Sequence, residues 1–141
     1  MLLIASDHVG WVLKQAILVW LTNQNIKTVD LGTYSQERID YTDYAAMLSK
    51  KISINHKGIL ICGTGIGMSM MANRFIGIRA ALCTSPYMAE MSVKHNNANV
   101  LCLGSRILSR PIAYKIVEVF LSTKFEGGRH QRRVKKMDKL C

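Results

Sequence analysis

The sequence predicts an α/β fold: one domain, a three-layer α/β/α sandwich around a five-stranded parallel sheet. Three observations lead there. Five short apolar runs alternate with longer amphipathic stretches along the 141 residues, the order that strand–helix crossovers produce. The short runs are apolar almost throughout, as strands covered on both faces are. No segment repeats or is of low complexity, so the length suits one domain of roughly 100–200 residues.

The elements follow in order. LLIAS at 2–6 is the first strand, and WVLKQAILVWLTNQ at 11–24 has helical spacing. KTVDLG at 27–32 is a second strand that stops at Gly32. YTDYAAMLSKKISIN at 41–55 reads as a helix capped by Thr42 or Asp43, residue types that accept from the free N–H groups of a first turn. GILIC at 58–62 is the third strand, followed by a helix over 68–75 in which Met68, Met70 and Met71 are expected to pack. IRAALC at 78–83 is the fourth strand. SPYMAEMSVKHN at 85–96 opens with a Ser-Pro helix entry. NVLCLG at 99–104 is the fifth strand, SRPIAYKIVEVFLST at 109–123 a helix, and a basic C-terminal helix is expected over about 129–140.

Composition narrows the function classes. The formal charge is +10, which admits nucleic acid or small anions as partners. The stretch GRHQRRVKKMDK holds six of the 19 basic residues, and the others are scattered. That tail has no interleaved aromatic residues and no nucleic-acid-binding motif, so a nucleic-acid partner is not expected. MLLIAS is too short for a secretory signal, and Lys14 interrupts the apolar run at 11–21. No membrane association is expected, and a cytoplasmic location is. Cys62, Cys83, Cys102 and Cys141 lack CxxC spacing. They read as free thiols rather than zinc ligands.

In a parallel α/β sheet, ligands bind beyond the carboxyl ends of the strands. Here those ends carry Ser6-Asp7-His8, Gly32-Thr33, Cys62-Gly63-Thr64-Gly65, Cys83-Thr84 and Gly104-Ser105-Arg106. The stretch ILICGTGIGMS at 59–69 holds three closely spaced glycines between a strand and a helix. It is not a dinucleotide fingerprint, a P-loop or a C-x5-R phosphatase loop, because Met68 stands where each needs another residue. What remains is a tight turn whose free N–H groups favour a phosphate or a developing oxyanion. The same field favours a thiolate at Cys62, which can serve as nucleophile or base. A plain strand-to-helix connection, with Cys62 as its last core residue, is the alternative explanation of the glycines.

SDHVG at 6–10, ILICGTGIGMSMMANRFIGIRAALC at 59–83, HNNANVLCLGSR at 95–106 and FEGGRHQRRV at 125–134 together resemble the ribose-5-phosphate isomerase B family. The resemblance runs from Leu3 to about Val134, with four motifs in the family's order. It implies a Rossmann-like sheet and an aldose–ketose isomerase acting on D-ribose 5-phosphate and D-ribulose 5-phosphate, a step of the pentose phosphate pathway. It also implies no metal or organic cofactor, and homodimers, possibly dimers of dimers, with sites at the interface. A wider branch acts on allose and galactose 6-phosphates, so a hexose phosphate is the alternative substrate.

By the same resemblance, Cys62 is the base that moves the proton between C2 and C1. Gly63, Gly65, Ile66 and Gly67 offer N–H groups to the enediolate, and Thr64 donates to its oxygens or relays protons between them. His95 opens the furanose ring, with Asp7 on the sugar and Asn96 on its hydroxyls or the enediolate. His8, Arg106, Arg129 and Arg133 hold the phosphate, which an arginine fork grips well. Members that lack the cysteine carry a glutamate later in the loop; MSMMAN has no acid, which places the chain in the thiolate branch. An inactive sugar-phosphate-binding regulator is disfavoured because Asp7, His8, Cys62, Thr64, His95 and Asn96 are all present.

Overall fold

The computed structural model describes residues 1–140; Cys141, expected as a free thiol, lies outside the described residues. Five strands form one parallel sheet: β1 (Leu2–Ser6), β2 (Thr28–Asp30), β3 (Lys57–Cys62), β4 (Ala80–Leu82) and β5 (Val100–Gly104). Their order is β2-β1-β3-β5-β4. The helices are α1 (Trp11–Asn23), α2 (Tyr41–Lys51), α3 (Ile66–Ala72), α4 (Pro86–Lys94), α5 (Arg110–Ser122) and α6 (Arg129–Asp138). The strands are the five expected apolar runs: β1 keeps its expected bounds, β3 starts one residue earlier, and β2, β4 and β5 are shorter.

Alternation along the strands builds two cores. Leu2, Ile4, Ile59, Ile61, Leu101 and Leu103 face α1, α4 and α5, where Ile17, Leu21, Ala89, Val93 and Phe120 close the layer. The intervening Leu3, Ala5, Leu60, Cys62, Val100 and Cys102 face α2 and α3, against Ala45, Leu48, Met68 and Ala72. Both faces of the sheet are therefore dry, which is why its strands read as continuous apolar runs. Cys62 falls on the α2–α3 side by this alternation.

Three local expectations are corrected. α2 begins at Tyr41, as expected, but Asp40 rather than Thr42 or Asp43 holds the N-cap position, and its side chain makes no capping bond. The Asp43 N–H reaches the Asp40 carbonyl at 3.2 Å, and the Asp43 carboxylate sits in the first turn, where it complements the helix dipole. α3 spans 66–72 rather than 68–75, because Gly65, at φ 81°, turns the chain into the helix two residues early. Met70 is 69% exposed, while Met68 is buried and Met71 packs at the edge of the core. The Ser-Pro entry of α4 forms as expected: Ser85 accepts the Met88 N–H at 3.2 Å, with Pro86 next in the chain.

α6 does not cover the sheet like the other helices. Its approach is fixed by the Glu126 N–H on the Lys94 carbonyl at 3.0 Å, and its far end by an ion pair of Asp138 with Arg79 at 2.9 Å. It therefore runs along the edge where α4 ends and β4 begins, with Val134 buried beneath it.

Phe120 is fully buried in the larger core. Phe120→Ala should lower the unfolding free energy by about 3–5 kcal/mol, read as a fall in the urea midpoint with the slope unchanged; a shift within error would mean that this layer does not carry the fold.

Candidate active site

The crossover from β2 to β3 reverses the direction in which strands are added, so β1 and β3 flank the point where a crevice opens at the carboxyl edge. Ser6 pairs with Ile61 in register, and the Asp7 N–H donates to the Ile61 carbonyl at 3.1 Å. On the other side Cys62 pairs with Gly104. The Ser105 and Arg106 N–H groups donate to the carbonyls of Cys62 and Gly63, at 2.8 and 2.9 Å. Ordinary sheet register thus places Asp7, Cys62 and Arg106 side by side.

The loop after β3 is closely packed. Gly104 lies against it so tightly that an added Cβ would stand 2.6 Å from the Thr64 carbonyl oxygen. The Gly65 N–H donates to Cys62 Sγ at 3.1 Å, and the Ile66 N–H reaches Thr64 Oγ1 at 3.3 Å. Two of the donors expected to face a substrate are therefore engaged inside the loop, one of them on the candidate base itself. Thr64 is exposed at the mouth. Arg106 is exposed beside Gly63, where an added Cβ would lie 3.6 Å from its Nη1.

Asp7 is buried and spends Oδ1 on the Gly10 N–H at 2.8 Å, which shapes the turn into α1. His8 accepts the Ile39 N–H at Nδ1, at 3.3 Å. Tyr41 belongs to this neighbourhood and was not anticipated from the sequence. Its ring packs on Gly67, where a Cβ would meet it at 2.6 Å; a tyrosine opening an amphipathic helix carries no signal of that contact.

The remaining expected residues lie elsewhere. α4 runs antiparallel to the strands and carries the chain about 13 Å back from the carboxyl edge. His95, at its C-cap, and the exposed Asn96 therefore sit at the opposite edge of the sheet from Cys62. The α6 residues join them: the His130 ring stacks on His95 with centroids 4.2 Å apart and planes 12° from parallel. Arg129 and Arg133 are exposed on the same helix. Among the described residues, neither they nor Arg106 has a carboxylate within 4.0 Å. The expected site residues thus fall into two separate groups: Asp7, His8, Cys62, the glycine loop and Arg106 at one edge, and His95, Asn96, Arg129 and Arg133 at the other.

Glu126 reaches both imidazoles, 4.0 Å from His95 Nε2 and 3.8 Å from His130 Nε2. These three side chains are close enough to share a metal ion. The geometry is poor for one, because stacked rings aim their in-plane lone pairs side by side rather than at one point, and Arg129 and Arg133 add positive charge nearby. Burial lowers the His130 pKa first, and the His95 imidazole, Arg129 and Arg133 push the same way against Glu126. Its Nε2 is buried without a hydrogen-bond partner.

The three described cysteines differ in environment. Burial pushes the Cys83 thiol up to about 11, against a smaller opposing pull from a Ser92 hydrogen bond. Burial also drives the Cys102 thiol far upward, with Cys62 and Cys83 adding to the effect.

A sequence profile of the family described as Ribose/Galactose Isomerase matches residues 2–137. The chain belongs to that family of sugar isomerases. It is 46% identical over 130 residues to ribose-5-phosphate isomerase B of Escherichia coli (strain K12), covering 91% of this chain and 87% of the relative. A crystal structure of a ribose 5-phosphate isomerase from Thermotoga maritima superposes with a TM-score of 0.96 at 49% identity, covering 99% of this chain and 97% of the other. Ribose-5-phosphate isomerase B from Mycoplasma genitalium, solved with bound ribulose-5-phosphate, gives a TM-score of 0.94 at 45% identity, covering 98% and 93%. Among the described residues no helix is long and apolar enough to cross a membrane.

Two measurements follow from these environments. With Cys141 replaced by Ser, iodoacetamide should label Cys62 before Cys83 or Cys102, since only the thiolate reacts and burial holds the other two protonated. Peptide mapping that finds Cys83 or Cys102 labelled first would contradict this. For His130, a lowered folded-state pKa means that the unfolded chain binds more protons below the ordinary value of about 6.5. The stability contributed by neutral His130 is present above that value and lost as pH falls through the folded pKa. His130→Phe, which keeps a ring against His95, should therefore lose less stability than the native chain between about pH 7 and 5; parallel urea midpoints across that range would refute it.

Proposed function

We propose that this chain interconverts D-ribose 5-phosphate and D-ribulose 5-phosphate, with Cys62 as the base. The observation that carries the reading is Cys62 at the switch point with the Gly65 N–H on its sulfur, in a chain closely similar to an isomerase solved with ribulose-5-phosphate bound. An N–H donor on sulfur is a contact that a thiolate accepts well.

In the open-chain aldose, Cys62 takes the C2 proton. The electron pair becomes the C1–C2 double bond, and the charge moves to O1. Thr64, exposed at the loop mouth, passes the O2 proton to O1. The thiol then returns its proton to C1 as the C2 carbonyl forms. Free N–H groups at Gly63 and Gly67 support the developing oxyanion, the kind of preorganised donor that carries much of such catalysis. His95 moves the proton that opens the furanose ring, with Asn96 on the sugar hydroxyls and Asp7 orienting the sugar. His8, Arg106, Arg129 and Arg133 hold the phosphate. A cytosolic site of action fits a phosphorylated substrate.

This mechanism needs both half-sites, and one chain holds them at opposite edges. We infer a homodimer in which the His95 edge of one copy meets the Cys62 edge of the other. The α3 face beside the glycine loop supports this: Ile66 and Met70, four residues apart on one face, are 47% and 69% exposed. Exposed apolar side chains at the mouth of a site suit a protein contact.

The test is ribulose 5-phosphate formation in chelator-treated buffer. Cys62→Ser should reduce kcat by on the order of 10²–10⁴-fold. Cys62→Ser and His95→Ala chains, each inactive alone, should recover roughly a quarter of native activity when unfolded and refolded together, because half the dimers are mixed and each mixed dimer has one intact shared site. No recovery would place both groups in one chain's site. A native enzyme silent on ribose 5-phosphate but active on a hexose 6-phosphate would overturn the pentose assignment.

A further inference from the structure

Lys14 is among the largest fully buried side chains of the described residues, and the mechanism above does not use it. It leaves α1 one turn after the Asp7–His8 turn and crosses beneath the segment that joins β2 to α2. There Nζ donates to Asp30 Oδ1 and to the Thr33 carbonyl, each at 2.6 Å. The Tyr34 ring lies over the ammonium, with its centroid 5.4 Å away.

The groups that Lys14 holds are themselves tied to the active-site edge. Asp30 Oδ1 also accepts the Gly32 N–H at 2.9 Å, and Tyr34 Oη donates to the Asp30 carbonyl at 2.9 Å. The Ser6 N–H donates to the Gly32 carbonyl at 2.8 Å, and the Thr33 N–H to the Ser6 carbonyl at 2.9 Å. From this knot the chain continues to Ile39, whose N–H donates to His8 Nδ1. A ring nitrogen that accepts a backbone N–H carries no proton, so the ring's own donor is Nε2.

A buried lysine is a costly way to stabilise a core, because well-packed apolar residues serve as well or better. Its desolvation lowers its own pKa, and Asp30 opposes that. What an apolar residue could not do is hold a carboxylate and a carbonyl of the same segment at once. We propose that Lys14 is a positioning residue: by clamping Asp30 and Thr33 it fixes the 31–40 segment, so that the Ile39 N–H holds His8 with its Nε2–H free for the phosphosugar. The clamp rests on the reading of His8 as a substrate contact. It adds a cause for that contact's orientation.

The test uses the full-length protein with Lys14→Met and, because that change leaves Asp30 without its partner, also Lys14→Met with Asp30→Asn. Thermal unfolding and circular dichroism select the variants that fold, and the double variant removes both charges together. Two-dimensional ¹⁵N–¹H spectra then report the His8 ring. In the native protein Nδ1 should appear as the unprotonated nitrogen. In the folded variants the two tautomers should average, and KM should rise about tenfold with kcat nearly unchanged, the pattern of lost substrate binding rather than lost chemistry. A purely structural lysine would change the unfolding temperature alone. An unchanged His8 tautomer in a folded variant overturns the proposal whatever KM does. A native protein without pentose-phosphate activity would sink the functional reading and leave the ring measurement to decide the clamp.

Discussion

All five strands run in the same direction, and that constraint organises both the fold and its chemistry. Each crossover helix must return antiparallel, so every strand ends at one edge and every covering helix ends at the other. Residues that follow strands (Asp7, Cys62 and Arg106) are gathered by register alone. Residues that follow helices are sent away by the same rule, which is why His95 closes α4 at the far edge. α6 strengthens the division by lying along that far edge, with His130 on His95 and Asp138 on Arg79. On the proposed reading, a catalytic set drawn from both kinds of position is divided before any side chain is chosen, and a second molecule reunites it.

Within the carboxyl edge, backbone proximity does what side chains do elsewhere. Gly104 lets β5 lie against the Thr64 backbone, and Gly65 adopts the left-handed conformation that turns the chain into α3. A residue with a Cβ at 104 would push the loop off the sheet. One at 65 would be strained in that turn. The two glycines together bring the Gly65 N–H onto the Cys62 sulfur. The loop donates to the thiol sulfur, so its Gly65 N–H is not left for an anion.

How much of this was legible in the sequence depended on whether the signal was local. The strands were, because burial on two faces leaves an unbroken apolar run, as in LLIAS and GILIC. Ser85 was, because its capping bond reaches only three residues. The start of α2 at Tyr41 was legible but its cap was not, since Asp40, Thr42 and Asp43 are all competent caps by type and Asp40 holds the position. Met70 read as core because its neighbours Met68 and Met71 are; its exposure depends on which face of a seven-residue helix meets the sheet. Lys14 gave no sign at all. A lysine within an amphipathic helix reads as its solvent side, and only the path of the 31–34 segment, distant in sequence, shows that it is enclosed. The placement of Cys62 and Arg106 at strand ends was readable from the apolar runs, whereas the separation of the two groups of expected site residues required combining strand direction with helix direction.

The same division bears on how binding and assembly would influence each other. On the proposed reading, the phosphate is held by the α6 arginines of one copy together with His8 and Arg106 of the other, whose Cys62 loop faces the carbonyl end. Arg106, Arg129 and Arg133 have no carboxylate partners among the described residues. The chain carries a formal charge of +10. Bringing two such copies together sets like charges against each other, a cost that salt screens only beyond about 8 Å at physiological ionic strength. A phosphosugar dianion placed between those arginines removes that repulsion at its source. A ligand that binds the assembled state but not the separated one shifts the equilibrium by mass action. Substrate would then strengthen the contact that completes its own site, and leaving those arginines unpaired in the single chain would have a physical reason: a carboxylate neighbour would neutralise them in advance and break that coupling.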